Sequence, residues 1–290
     1  MQATLKDRVC LITGATAGMG KATAAALAEM GATVVLVARN EQKGIAVRDE
    51  LRATSGNPQV EVLFADLASQ QAIRALAAQF KQQYQQLHVL VNNAGGVFST
   101  RETTVDGLEM TFALDHLAYF LLTDVLLDLL KSSAPARIIN ISSGAERTGK
   151  ITFDDLQREK SYTPFGAYAQ AKLGNMLFTY ELARRLAGTG VTVNAVTPGP
   201  VATSFGTGGK GILKVIPLFV RLLGKTPEQG ASSAIQLAAD PTFANVTGKA
   251  FYGRKEVSSS ARSHDVALQQ RLWQHSVALT GVATSAADHA

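Results

Sequence analysis

Cysteine and long apolar runs are scarce in this 290-residue sequence. The single cysteine, Cys10, lies in an apolar stretch and excludes an internal disulfide, which agrees with a reducing compartment. The longest apolar stretches, 117–130 and 212–223, are interrupted by charges and fall short of the ~20 apolar residues of a membrane-spanning helix. No apolar segment precedes the first predicted strand, so we expect no secretory signal and a cytoplasmic location.

Patterns typical of nucleic-acid or metal binding are also missing. The net charge is +5, and Lys and Arg form neither a run nor a pattern interleaved with aromatic residues, so we expect no nucleic-acid partner. The histidines lack the paired spacing of zinc ligands, so we expect no metal. They are His88, His116, His264, His275 and His289. The glycine loop at 14–20 lacks the Gly-Lys-Ser/Thr ending of phosphate-transfer loops.

The sequence does contain a regular alternation of short apolar strands and helices. Strands are predicted at 9–13, 33–38, 60–64, 89–92, 137–141 and 191–196, and helices at 21–30, 41–54, 70–84, 105–131 and 165–186. Strands that are apolar throughout indicate a parallel sheet covered by helices on both faces. The pattern predicts an α/β, doubly wound Rossmann fold. Because no repeat, linker or composition shift interrupts it, we expect a single domain over 1–290.

Three glycines follow the first strand and open the first helix, at positions 14, 18 and 20. Glycines in this context supply a tight turn, close backbone approach to a phosphate and close helix packing, while the helix N-terminus favours negative charge. The loop therefore predicts binding of a nucleotide pyrophosphate. Its expected cofactor-binding residues are Gly14, Thr16, Ala17, Gly18, Met19 and Gly20.

The second strand ends in Ala38-Arg39-Asn40. Dinucleotide-binding folds place an acidic residue here to hold the ribose 2′-hydroxyl of NAD(H), whereas an arginine accommodates the 2′-phosphate of NADP(H). With no carboxylate at Ala38 and a guanidinium at Arg39, the sequence favours NADP(H) over NAD(H), with Arg39 and Asn40 at the cofactor. The alternative is that Arg39 is only a solvated loop residue.

Tyr168 and Lys172 lie four residues apart on the predicted helix 165–186 and therefore share a face. A lysine one turn away favours the phenolate, which would make Tyr168 a plausible proton donor. Taken alone, this spacing is more often a half-buried tyrosine beside a snorkelling lysine. The pair becomes a catalytic hypothesis only together with other motifs.

Six motifs stand in the order found in one enzyme family. They are Thr13-Gly14-x-x-x-Gly18-x-Gly20, Asp66-Leu67, Asn92-Asn93-Ala94-Gly95, Ser142-Ser143, Tyr168-x-x-x-Lys172 and Pro198-Gly199. On these motifs the chain resembles the short-chain dehydrogenase/reductase superfamily over nearly its whole length. The stretches 136–143, 153–157, 172–179 and 271–273 look most like the retinol dehydrogenase and dehydrogenase/reductase group.

The resemblance implies hydride transfer between a nicotinamide cofactor and a carbonyl or alcohol carbon. It implies that Tyr168 is the general acid/base, that Lys172 lowers the pKa of Tyr168, and that Ser143 fixes the substrate oxygen. In the resembled group the serine used is the second of the pair and lies 25 residues before the tyrosine, as Ser143 does here, so the resemblance favours Ser143 over Ser142. Lys172 would also hold the nicotinamide ribose. Further cofactor contacts implied by the resemblance are Asp66, Leu67, Asn93, Ala94, Gly95, Pro198, Gly199, Val201 and Thr203.

One position departs from the family pattern. Asp115 stands where the family has an asparagine that supports a water-linked proton relay through the lysine. An aspartate accepts the same hydrogen bonds but donates none, and its charge could pair with Lys172 and weaken the pull of that lysine on Tyr168. The alternative is a tolerated replacement, in which the local backbone matters more than the side chain.

The segment 204–226 has glycines followed by an apolar amphipathic stretch. We expect a lid over a hydrophobic substrate, because the segment directly follows the motif implied to pack against the nicotinamide. The positive residues within 210–225 would also suit weak contact with an anionic membrane surface, and a dimer contact is a third interpretation. The expected reaction is reduction of a lipophilic ketone or aldehyde with NADPH, or the reverse oxidation. Retinal, steroids, polyketide ketones and xenobiotic aldehydes all remain open as substrates.

Two other functions compete with a carbonyl reductase. One is a catalytically weak NADP(H)-binding sensor, which Asp115 favours and which the intact Ser143, Tyr168 and Lys172 oppose. The other is a structural subunit, since members of the superfamily commonly assemble. On the same ground we expect a homo-oligomer.

Overall fold

The computed structural model describes residues 4–199 and 225–282, and eight strands in these ranges form one sheet. They are β1 (Val9–Thr13), β2 (Thr33–Ala38), β3 (Val60–Phe64), β4 (Val89–Asn92), β5 (Ala136–Ile141), β6 (Val191–Val196), β7 (Lys249–Tyr252) and β8 (Lys255–Val257). Their order across the sheet is β3-β2-β1-β4-β5-β6-β7-β8, and only the last pair is antiparallel. The winding direction therefore reverses between β1 and β4, which confirms the doubly wound Rossmann fold.

The helices flank this sheet. They are α1 (Gly18–Glu29), α2 (Glu41–Ser55), α3 (Gln70–Gln83), α4 (Met110–Phe112), α5 (Ala118–Val125), α6 (Leu127–Ser132), α7 (Pro164–Arg185), α8 (Pro227–Ala239) and α9 (Val266–Thr280). A π-helical turn over Ala113–Leu117 joins α4 to α5. Among the described residues, no helix is both long and apolar enough to cross a bilayer.

Two apolar cores lie on opposite faces of the sheet, because successive side chains of a strand point in opposite directions. On one face, Leu11 of β1 packs with apolar residues of α3, α5 and α7. On the other face, Cys10 and Ile12 pack with α1, α2 and α8. Burial raises the pKa of the Cys10 thiol to about 12, so this side chain acts as a small apolar core residue.

The prediction of one helix over 105–131 is wrong in two respects: the helical segment starts later, and it is not continuous. Gly107 lies in a turn with φ +76°, and the Glu109 carboxylate accepts two backbone N–H groups of the first helical turn at 2.8 Å each. The helical segment therefore begins at Met110. The π turn and a second break at Leu126 divide this segment into three short helices.

The remaining predicted elements differ from the observed ones by a few residues at their ends. The helix predicted from 21 begins at Gly18, because the glycine loop forms its first turn. The sequence patterns predict no element after 196, whereas the structure has α8, β7, β8 and α9 there. The expected lid at 204–226 lies outside the described residues, apart from its last two positions. The second of these, Thr226, caps α8 with its side chain.

Candidate active site

One threonine ties together the loops that follow β1 and β4, at the edge where the winding reverses. Thr13 is 1% exposed, and its Oγ1 accepts the backbone N–H groups of Asn93 at 2.8 Å and Ala94 at 3.0 Å. The Asn93 side chain donates in return to the carbonyl oxygens of Thr13 at 2.9 Å and Gly14 at 3.2 Å. These bonds fix the loop after β4 against the glycine loop, as cofactor-binding sites at a topological switch point require.

The glycine loop has the shape that a pyrophosphate needs. Gly14 and Gly18 have φ of +64° and +55°, which favour glycine. A Cβ on Gly20 would press on the carbonyl of Gly14 and lie 2.5 Å from Asn93 Nδ2. Ala17, at the start of α1, caps no N–H group with its side chain, and the first turn of this helix contains no acidic residue. The uncapped N–H groups and the positive helix end therefore fit an anionic cofactor.

The residues predicted near the adenosine lie at the ends of β2 and β3. Arg39 is exposed, and Asn40 caps α2 by accepting the backbone N–H of Lys43 at 2.9 Å. Asp66 is also exposed, and its Oδ1 accepts the backbone N–H of Ala68 at 3.0 Å, while Leu67 is buried. The structure thus places these four predicted residues at the same edge of the sheet as the glycine loop.

The two serines after β5 point in different directions. The Ser142 hydroxyl is buried and donates to the backbone carbonyl of Lys172 at 2.9 Å, so it serves the packing of α7. The Ser143 side chain instead lies close enough to Tyr168 to lower the pKa of its hydroxyl. Residues that follow one another in an extended chain alternate between sides, which explains the division.

Lys172 and Asp115 form a buried ion pair. Lys172 is 3% exposed, and its Nζ lies 3.1 Å from Oδ2 of Asp115, which has no exposed surface. Oδ1 of Asp115 accepts the backbone N–H of Gly96 at 2.7 Å. Lys172 Nζ also donates to the carbonyl of Ile141 at 3.4 Å and lies 5.4 Å from the centre of the Tyr168 ring. The ammonium therefore sits between a carboxylate and the tyrosine.

Burial and charge set the protonation states of these groups. Burial raises the pKa of Tyr168, whereas Lys172 and the Ser143 side chain lower it, and Asp115 adds to the rise. Burial would lower the pKa of Lys172, but Asp115 and two tyrosines raise it, so the lysine stays charged. Burial raises the pKa of Asp115, and Lys172 and Gly96 oppose that rise. The chain's own groups thus present a protonated Tyr168 beside a cation, which suits a proton donor.

Three buried polar residues around this pair are not among the predicted site residues. Tyr119 is 1% exposed, and the Nζ of Lys172 lies 5.6 Å from the centre of its ring. The Asn175 side chain donates to the carbonyls of Asp115 and Ile141, and His116 contacts Asn175. His116 follows Asp115 on the π turn, and Tyr119 follows on α5. Asn175 follows Lys172 by one helical turn. That proximity in sequence is the signal that could have found them.

The other predicted cofactor contacts fall at two places. Ala94 and Gly95 follow β4, where a Cβ on Gly95 would lie 2.8 Å from Oδ2 of Asp115. Pro198 and Gly199 follow β6, and Gly199 has φ +74°. Val201 and Thr203 lie outside the described residues. Within the described ranges, no group of three or more His, Cys, Asp or Glu side chains could hold a metal ion.

Comparisons with known proteins agree on one family. A family model described as short chain dehydrogenase matches residues 8–208. Human retinol dehydrogenase 13 is 41% identical over 97% of this chain and 87% of its own length. Human polyprenol dehydrogenase is 40% identical over 95% of this chain and 86% of its own length. The solved structure of the Pseudomonas aeruginosa RhlG/NADP active-site complex superimposes with a TM-score of 0.69 at 26% identity, covering 92% of this chain and 98% of that one.

Proposed function

This chain belongs to the short-chain dehydrogenase/reductase superfamily and is an oxidoreductase of CH–OH or C=O groups, and we propose that it interconverts a lipophilic ketone or aldehyde with its alcohol using NADP(H). One observation carries the proposal. Ser143, Tyr168 and Lys172 are grouped at the carboxyl edge of the sheet, beside a glycine loop shaped for a pyrophosphate.

The proposed mechanism assigns one task to each side chain. When bound, the nicotinamide supplies the hydride in reduction and accepts it in oxidation. Ser143 donates a hydrogen bond to the substrate oxygen, and Tyr168 gives its hydroxyl proton to that oxygen as negative charge develops there. Lys172 stabilises the phenolate that remains on Tyr168. In oxidation the same groups act in reverse, and Tyr168 takes the alcohol proton.

The cofactor preference rests on Arg39. An exposed guanidinium at the end of β2, with alanine at the preceding position, suits a 2′-phosphate better than a ribose diol. The RhlG/NADP complex among the structural relatives supports the same choice. We therefore propose NADP(H) over NAD(H).

The lipophilic substrate rests on the relatives and on one exposed side chain. The two relatives are named for retinol and polyprenol, both long apolar alcohols. Phe165 is 59% exposed and lies on α7 three residues before Tyr168, so it shares a face with the tyrosine. An exposed aromatic ring one turn from the proton donor would contact an apolar substrate.

A catalytically weak NADP(H)-binding sensor is the second candidate. The observation that favours it is the buried pair between Asp115 and Lys172, because a carboxylate at 3.1 Å opposes the effect of the ammonium on Tyr168. Such a protein would bind NADPH tightly and turn over slowly or not at all.

The test measures NADPH and NADH consumption by the purified full chain with a panel of apolar aldehydes and ketones. Tyr168→Phe is the matched variant, since it removes only the hydroxyl that donates the proton. We expect turnover with NADPH that falls at least about a hundredfold in the variant, within the range of a general acid. Tight NADPH binding without turnover of any panel member would instead support the sensor.

A further inference from the structure

The Asn175 amide bridges two backbone segments that hold Lys172. Asn175 has no exposed surface and lies three residues after Lys172 on α7. Its Nδ2 donates to the carbonyl of Asp115 at 2.8 Å and to that of Ile141 at 3.2 Å. The side chain of Asp115 pairs with Lys172 Nζ, and the carbonyl of Ile141 accepts from the same Nζ. One amide therefore fixes both partners of the ammonium without touching the ammonium itself.

The π turn explains why a side-chain donor is placed here. In this turn the N–H of Ala118 donates to the carbonyl of Ala113, five residues back instead of four. The extra residue disturbs the regular pairing of the neighbouring carbonyls. Asn175 Nδ2 supplies a donor to the carbonyl of Asp115 within this turn, which keeps a buried polar group satisfied.

A directed chain of hydrogen bonds sets the orientation of the amide. Both N–H groups of Asn175 Nδ2 face carbonyls, so Oδ1 must be the acceptor toward His116 Nδ1 at 3.3 Å. The network therefore assigns the ring proton of His116 to Nδ1. Nε2 then lies 3.2 Å from Oγ of Ser276, whose hydroxyl also lies 2.9 Å from the carbonyl of Leu272 and donates to one of these two acceptors at a time. Burial lowers the pKa of His116 to about 4, so this neutral tautomer is the form at pH 7.

We propose that Asn175 is a positioning residue, oriented from α9 through Ser276 and His116, that holds the pair of Lys172 and Asp115 in register with Tyr168. This inference rests on the proposed function, in which Lys172 stabilises the phenolate of Tyr168. Under this proposal α9 contributes to the active site, although it lies far from Tyr168 in the sequence.

The expected effect of removing the amide follows from the charges around Tyr168. Among those charges, Lys172 lowers the pKa of Tyr168 more strongly than Asp115 raises it. Without the Asn175 amide, the backbone segments of Asp115 and Ile141 lose the hydrogen bonds that fix them. The ammonium of Lys172 is then held less closely, and its stabilisation of the Tyr168 phenolate weakens. The pKa of Tyr168 should then rise.

The test compares Asn175→Ala with Ser133→Ala in the full chain. Ser133 is buried at the amino edge of the sheet, opposite the site, and its hydroxyl accepts the backbone N–H of Leu87 and donates to the carbonyl of Leu129, so this variant controls for the loss of a buried hydrogen bond. In Asn175→Ala we expect kcat to fall about tenfold, KM values for substrate and NADPH to stay within about twofold, and the alkaline limb of the reduction profile to move to higher pH. Ser133→Ala should keep the wild-type profile.

A titration without turnover separates this inference from the proposed function. The phenolate absorbance that disappears in Tyr168→Phe reports Tyr168, and its midpoint should be higher in Asn175→Ala than in the wild type, even if no substrate of the panel is reduced. If Asn175→Ala does not fold, His116→Leu and His116→Gln replace it, since only glutamine retains a donor toward Oδ1 of Asn175. We then expect a raised midpoint in the leucine variant and a smaller shift in the glutamine variant. An unchanged midpoint in Asn175→Ala, or equal midpoints in the two His116 variants, would overturn the proposal.

Discussion

At the scale of single residues, the structure shows how the charge of Asp115 is used. Asp115 forms an ion pair with Lys172, and both side chains are buried away from solvent. Removing one member of such a pair leaves a buried charge without a partner. The sequence allowed two interpretations of Asp115, a charge that pairs with Lys172 and a replacement in which the backbone matters more, and each agrees with part of the structure. The charge does pair with Lys172, and the backbone of Asp115 is also held, through Asn175.

Asp115→Asn should retain reductase turnover within about threefold or increase it, because Lys172 then acts on Tyr168 without an opposing carboxylate. Asp115 raises the pKa of Tyr168, so its loss should lower that pKa. The proposed mechanism of reduction needs the protonated tyrosine, and the alkaline limb of the kcat profile should therefore move to lower pH. Loss of all activity in a variant that still folds and binds NADPH would refute this account of Asp115.

Arg39→Ala should weaken NADPH binding about tenfold, as expected for the loss of one exposed charge-assisted contact to a phosphate. NADH carries no 2′-phosphate, so its affinity should not change. Titration of both cofactors by fluorescence in wild type and variant measures the two effects. An equal loss for NADH and NADPH would mean that Arg39 supports the loop and does not read the 2′-phosphate.

At the scale of elements, the prediction succeeded where the apolar pattern is strong. All six strands predicted up to 196 are present, since a buried parallel strand is apolar along its length. The helix over 105–131 failed because its interruptions come from local chemistry, namely the turn at Gly107, the cap by Glu109 and the π turn. Apolar periodicity does not report such features.

The site could be predicted in part for a similar reason. The positions of Ser143, Tyr168 and Lys172 follow from motifs that are each local in sequence. The hydrogen bonds from Asn93 to Thr13 join residues 80 positions apart, and no local sequence pattern predicts them. Contacts of this kind arise only when the sheet brings β1 and β4 together.

Thr13→Val tests whether that contact supports the cofactor loop. Valine keeps the shape but leaves the backbone N–H groups of Asn93 and Ala94 without their acceptor, which should cost about 2–4 kcal/mol of unfolding free energy. We also expect weaker NADPH binding, since the loop after β4 is no longer fixed against the glycine loop. Thr13→Ser retains the hydroxyl and serves as the control.

Urea unfolding and NADPH titration of both variants provide the measurements. The serine variant should stay near the wild type in both. If the valine variant matches the wild type in stability and affinity, another group must satisfy the two N–H groups.

At the scale of the whole molecule, a buried polar chain crosses the apolar interior beneath the site. Asn92 of β4 donates to Asn140 of β5 at 2.9 Å, and Asn140 donates to Thr179 of α7 at 3.0 Å. Thr179 donates to the backbone of Asn175 at 2.7 Å, so the chain reaches the residue that holds Asp115. Such a chain fixes α7 in one position on the sheet, because a shift of α7 would leave several buried groups unpaired.

The same interior makes stability depend on pH through His116. Its pKa is about 4 in the folded protein and about 6.5 in an unfolded chain, since burial disfavours the charged ring. Below pH 6.5 the unfolded state therefore binds a proton that the folded state does not, and stability falls as the pH falls toward 4. For this group alone, the unfolding free energy should drop by about 2 kcal/mol between pH 7 and pH 5.

Urea unfolding at pH 7, 6 and 5 measures this loss in the wild type and in His116→Gln. Glutamine cannot take up the proton but retains a donor toward Asn175, so the variant should lose less stability over the same interval by about 2 kcal/mol. Parallel decreases in the two proteins would show that His116 is already accessible to protons in the native state. The deep burial of the ring, at 1% exposure, and its contacts with Asn175 and Ser276 argue for the difference.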